Sequence, residues 1–151
     1  MDLKMYLELY CDPKFVDKTH RANKDFNFEE IQNLLNRLQE KKGISFKIYS
    51  ENNRLIEIMK IKRGEFILKL FPPGKGVQYA SVFNLELYSE LLNSSLEKNK
   101  DKLGKEIPIL VVYKDNSQIE GIYPCEKGGK IVTIKNFLDR LINPSSAEEA
   151  K

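Results

Sequence analysis

Two stretches of this chain, residues 65–97 and 107–142, carry one pattern: a strand, a tight turn, a returning strand and then a helix. In the first, Phe66 to Phe71 runs into Pro72-Pro73-Gly74-Lys75-Gly76 and Val77 to Val82 returns as the other arm of a hairpin. Proline fixes φ and glycine accepts backbone conformations closed to other residues, so that run reads as a turn. Asn84 then caps a helix with Leu85, Tyr88, Leu92 and Leu96 on one face. In the second, Ile107 to Tyr113 and Gln118 to Tyr123 flank the turn Asp115-Asn116-Ser117, with a loop at Lys127-Gly128-Gly129-Lys130. A last helix faces inward through Ile134, Phe137, Leu138, Leu141 and Ile142 and stops at Asn143-Pro144. Two such units are too few and too degenerate for a solenoid. They require instead a sheet with antiparallel hairpins, covered by helices.

The N-terminal half adds a parallel element. Met5 to Tyr10 alternates, with Met5, Leu7 and Leu9 on one face and Tyr6, Glu8 and Tyr10 on the other. Cys11-Asp12-Pro13 closes that strand, because Pro13 has no N–H to donate. A polar connection over residues 14–27 leads to a helix capped by Asn27 and Glu30, striped by Phe28, Ile31, Leu34, Leu35 and Leu38, and stopped at Gly43. Ile44, Phe46 and Ile48 form a second strand. Leu55, Ile58, Met59 and Lys62 fit one helical face, with a strand as the alternative given Ile56 and Ile58. The linker 97–106 is highly charged, and residues 143–151 read as a frayed tail.

Composition narrows the function classes. A chain of 151 residues, 41% hydrophobic and 31% charged, is long enough for one domain with its own core. A formal net charge of +3 is too small to indicate a nucleic-acid protein unless the charge is polarised. No apolar run approaches the roughly 20 residues a membrane helix needs, and Met1-Asp2-Leu3-Lys4 opens no secretory signal. A cytoplasmic protein with reduced thiols is therefore expected, with no membrane association. The Lys-, Glu- and Ile-rich usage, with one His and no Trp, is thermophile-like.

The order β-α-β-α-β-β-α over residues 5–97 resembles the thioredoxin fold. Cys11-Asp12-Pro13-Lys14 stands after the first strand, where thioredoxins carry Cys-Gly-Pro-Cys. The resemblance implies an α/β fold: a thioredoxin-like mixed sheet flanked by helices, with its core over about residues 1–98. A further hairpin-helix block over about 105–142 is then appended, within one domain spanning 1–142. In an alternative register Glu106-Ile107-Pro108-Ile109 is similar to the family's cis-proline element, and the middle of the chain is a long insertion. The first register is preferred because its loops are shorter. Three departures stand out: Lys14 replaces the second cysteine, the connection before the first helix is long, and Arg63-Gly64-Glu65 lacks the cis-proline.

What the resemblance implies chemically rests on Cys11, with Pro13 and Pro108 as its accompanying family positions. A cysteine where a strand meets a helix can be held as thiolate by the helix terminus, with Lys14 and Lys18 nearby. Without a neighbouring second cysteine the chemistry is at most monothiol and needs an external thiol such as glutathione. Cys11 and Cys125 have no CxxC spacing, and a bridge would need Cα atoms within about 7 Å. The competing reading is a small, half-buried residue at a strand end. Enzyme or not stays open.

Other residues point less far. Gly74-Lys75-Gly76 lacks the P-loop pattern, since Val77 follows Gly76 and no Ser or Thr stands next to Lys75. His20 is the sole histidine, too few for a metal site or a Ser-His relay, and Asp12, Asp17 and Asp25 lack ligand spacing. No metal or cofactor is called for. Lys60, Lys62 and Arg63, with Lys69 and Lys75, could form a basic stripe beside Tyr79 suited to single-stranded nucleic acid, although Glu57 and Glu65 interrupt it. A non-catalytic interaction module, holding a protein partner or a second copy by a sheet edge or the last helix, is the alternative from another class.

Overall fold

A computed structural model describes residues 5–51, 56–62, 65–72, 76–83, 103–115 and 118–144. The elements in order are β1 (Met5–Tyr10), a 3-10 turn (Arg21–Asn23), α1 (Phe28–Lys42), β2 (Ser45–Tyr49), β3 (Ile56–Lys62), β4 (Glu65–Leu70) and β5 (Gln78–Phe83). After them come β6 (Ile109–Lys114), β7 (Gln118–Tyr123), β8 (Cys125–Lys127), β9 (Lys130–Val132) and α2 (Ile134–Ile142). The expected mixed α/β architecture is observed. No helix among the described residues is long and apolar enough to cross a membrane.

The main sheet has the order β2-β1-β6-β7. β1 and β2 are parallel, with α1 as the crossover, whereas β6 is antiparallel to both β1 and β7. β3, β4 and β5 form a second, antiparallel sheet, and β8 with β9 a short hairpin. α1 forms where the sequence places it. The Glu30 N–H donates to Asn27 Oδ1 at 2.9 Å, Glu29 and Glu30 occupy the first turn, and Lys41 and Lys42 the last. Gly43, at φ 65°, turns the chain out of the helix in a conformation that favours glycine.

Both faces of the central strands are covered. Leu7, Leu9, Leu110 and Val112 pack with Ile31, Leu34, Leu35 and Leu38 of α1 and with Ile134 and Leu138 of α2. Residues one position out of phase, Tyr10, Ile109, Val111 and Tyr113, pack with Leu68 and Leu70 of β4. The layers are thus helices, four-stranded sheet and three-stranded sheet. This explains why β6 is buried at five consecutive positions.

The structure corrects the expected place of both hairpins and specifies two segments further. The hairpin of residues 65–83 does not pair with β1; it joins β3 in the separate sheet. The block over 107–142 is instead integral, because β6 and β7 complete the sheet that contains β1. Residues 50–108 therefore separate β2 from β6 in sequence, although both lie in the main sheet. The segment 56–62 is a strand, the alternative that Ile56 and Ile58 left open, and not the helix its spacing also fits. Register shifts between Glu57 and Met59 and between Lys60 and Lys62 break its period-two pattern and leave a helix-like spacing. The loop expected at Lys127 to Lys130 is the turn of the β8–β9 hairpin, with Gly128 and Gly129 at φ 58° and 78°. The helix expected from Asn84 lies outside the described residues.

Candidate functional site

Cys11 directly follows β1, its N–H donating to the Tyr49 carbonyl at 2.9 Å. Its residue is 1% exposed, packed in the core on the helix side. Burial, with the Asp12 carboxylate adding to it, pushes the thiol up to about 12. Among the described residues no helix begins beside it: Pro13 to Phe15 form a turn and α1 starts only at Phe28. No helix terminus among the described residues therefore supplies the potential that would favour thiolate. Lys14 is exposed and its N–H donates to Asp12 Oδ1 at 3.1 Å, while Pro13 is exposed on the same turn.

Pro108 is buried and immediately precedes β6. The last residue pair of β1 with β6 is Tyr10 with Ile109, so Cys11 and Pro108 lie at the same end of adjacent strands. Among the described residues the cis peptide is Tyr123–Pro124, not the bond before Pro108. Cys125 follows Pro124, is partly buried against the same core as Cys11, and has its thiol pushed up mainly by burial. Both cysteines are free.

A second constellation lies on the opposite face of β1. Glu8 is fully buried, at 0% exposure. Its Oε1 accepts from the hydroxyls of Tyr10 at 2.9 Å and Tyr113 at 3.0 Å, and its Oε2 from those of Tyr6 at 3.1 Å and Tyr49 at 3.4 Å. The register builds this directly. Tyr6 and Tyr10 flank Glu8 two residues away on the same face, Tyr113 pairs with Tyr6, and Tyr49 pairs with Tyr10. Each cross-strand pair stacks, with ring centroids 5.8 Å apart for Tyr6–Tyr113 and 5.2 Å for Tyr10–Tyr49. Burial first, then the Glu8 charge, raises the Tyr6 and Tyr113 phenols far above their ordinary range. They therefore stay protonated and act as donors, which a buried carboxylate needs. The alternation placed Tyr6, Glu8 and Tyr10 on one face, but nothing in the sequence joined them to Tyr49 and Tyr113.

The polar connection 14–27 is held by local caps and two distant anchors. Asn23 Nδ2 donates to the carbonyls of Asp17 and Glu106, each at 2.8 Å, and Thr133 Oγ1 donates to Asp25 Oδ2 at 2.8 Å. His20 Nδ1 accepts from the Ala22 N–H at 3.1 Å, so the sole histidine caps the 3-10 turn. Among the described residues no group of three or more His, Cys, Asp or Glu is placed to hold a metal ion.

Of the basic stripe, Lys60 and Lys62 lie on β3, while Arg63 and Lys75 fall outside the described residues. Lys69 pairs with Tyr79 across β4 and β5, and its Nζ sits 5.7 Å from the Phe71 ring centroid. Tyr79 is 62% exposed and Val77 42%. No family model, curated protein or solved structure matches this chain.

Proposed function

We propose that this chain is a thioredoxin-like domain working as a non-catalytic protein-interaction module. The thioredoxin-like part is supported by the order β2-β1-β6-β7 with its one parallel pair, by the α1 crossover, and by α1 and α2 packing on one face. This is the alternative register of the sequence, with Pro108 ahead of the strand beside β1. The non-catalytic part is carried by one observation, the burial of Cys11. Thiol exchange needs both access and thiolate. A thiol at about 12 is ionised in only about one molecule in 10⁵ at pH 7.

The interaction part is supported by Val77 and Tyr79, large side chains exposed at the margin of the second sheet. Monothiol chemistry at Cys11 is the competing reading, favoured by its place at the end of β1. Nucleic-acid binding is a third, favoured by Lys69 beside Tyr79.

Labelling of the native Cys125→Ser protein with an aromatic disulfide reagent separates the first two. The expected result is a Cys11 thiol that reacts at least 100-fold more slowly than in the urea-unfolded chain. Rapid native labelling, with a mixed disulfide to glutathione, would select monothiol chemistry instead.

A further inference from the structure

Sheets leave unpaired N–H and C=O groups along their outer strands, and proteins usually protect these with charged residues, proline or a bulge. Among the described residues the outer strands are β2, β3, β5, β7 and the β8–β9 pair. β2 carries Lys47, β3 carries Glu57, Lys60 and Lys62, β7 carries Glu120, and β8 and β9 carry Glu126, Lys127 and Lys130. β5 carries none. From Gly76 to Phe83 the sequence GVQYASVF has no charge and no proline. The β4–β5 register runs through six consecutive pairs without a shift, so no bulge turns this edge away. Val77 and Tyr79 are also two of the three exposed large hydrophobic residues among the described positions.

We infer that β5 is a self-association edge, where a second copy of this chain adds its own β5 antiparallel to the first. The inference deepens the interaction-module reading and rests on it. A two-fold axis places each residue of the strand opposite a residue of the same strand. A charge close to that axis meets its like, which destabilises the pair. An uncharged strand escapes that penalty in every register. Joining two copies gives the order β3-β4-β5-β5-β4-β3, one continuous antiparallel sheet. With the two-fold axis beside Gln78, Val77 of each copy stands opposite Tyr79 of the other on the exposed face, an aromatic–β-branched cross-strand pair of the kind that favours such contacts. A strand of six residues spans only about 20 Å, so the contact falls at the small end of protein interfaces. The dimer is therefore concentration-dependent.

The test is sedimentation equilibrium on the full chain, together with two charge-swapped variants. In one, Val77→Lys and Tyr79→Lys are combined; in the other, Val77→Glu and Tyr79→Glu. Wild type is expected to move from the monomer mass of 17.6 kDa toward twice that value as concentration rises. Each variant should stay at the monomer mass, and a 1:1 mixture should recover a dimer containing one copy of each. Recovery on mixing would exclude misfolding as the cause of the loss. A wild type that stays monomeric at every concentration overturns self-pairing. So does a variant that dimerises as well as wild type, because its interface lies elsewhere. Both outcomes leave the reactivity of Cys11 unchanged, so self-pairing can fail while the non-catalytic reading stands, and the reverse.

Discussion

Leu7, Leu9 and Cys11 face the helices from one side of β1, and Tyr6, Glu8 and Tyr10 face the three-stranded sheet from the other. Both sides are shielded from water, yet they are held by different forces. The helix side is apolar packing, which is non-directional and tolerates substitutions that keep volume. On the other side, four hydroxyls from β1, β2 and β6 meet at one carboxylate. That arrangement is directional: a slip of β2 or β6 by one residue would turn Tyr49 or Tyr113 to the opposite face. The helix side stabilises the sheet, while the tyrosine side also specifies which strands lie beside β1 and in what register.

The contrast breaks first at Glu8. Glu8→Ala should cost about 3–5 kcal/mol, because it strands buried hydroxyls around a cavity. Urea denaturation checks this, and a loss below about 1 kcal/mol would mean that the hydroxyls find water once the carboxylate is gone. On the helix side, Leu35→Ala should cost about 2–4 kcal/mol from lost burial and the remaining cavity. The two single losses are close in size, so the sharper test is coupling. Tyr10→Phe and Tyr113→Phe share one oxygen of Glu8, and their double-mutant cycle should show a coupling of about 1–2 kcal/mol. Strict additivity would imply that each hydroxyl is satisfied independently and that no network exists.

Legibility followed sequence distance. α1 could be read with both ends because its caps, Asn27 and Gly43, and its buried stripe from Ile31 to Leu38 are local. The β4–β5 and β6–β7 hairpins were legible for the same reason. Which hairpin lies beside β1 was not, since Leu9 pairs with Leu110 and either hairpin offered an apolar strand of suitable length. β3 is ambiguous in sequence, fitting a helix as well as a strand, because its two register shifts interrupt the period-two pattern. The Glu8 cluster shows the limit most clearly. Tyr6-Leu7-Glu8-Leu9-Tyr10 displays the alternation, but two of the four donors are 41 and 105 residues away from Glu8. Cys11 could be placed at a strand end from sequence, whereas its burial depends on α1 and α2 packing over it.

Cys11 should give the smallest effect at neutral pH and the most informative change with pH. Cys11→Ala removes one buried heavy atom and should cost about 1 kcal/mol at pH 7. Its folded-state thiol lies at about 12 against an ordinary value of 9.0. Between those values the unfolded chain has lost the thiol proton and the folded chain still holds it. Stability from this group is therefore complete below about pH 9 and is lost as pH rises toward about 12. The Tyr6 and Tyr113 phenols, raised in the same direction from 10.0, add to the loss above pH 10. Chemical denaturation from pH 7 to 10.5 should show wild-type stability falling above pH 9, with a shallower fall in Cys11→Ala. Equal slopes would mean that Cys11 ionises in the folded protein as readily as in the unfolded chain. A thiolate would then be accessible at the end of β1, and the competing monothiol reading would regain its chemical basis.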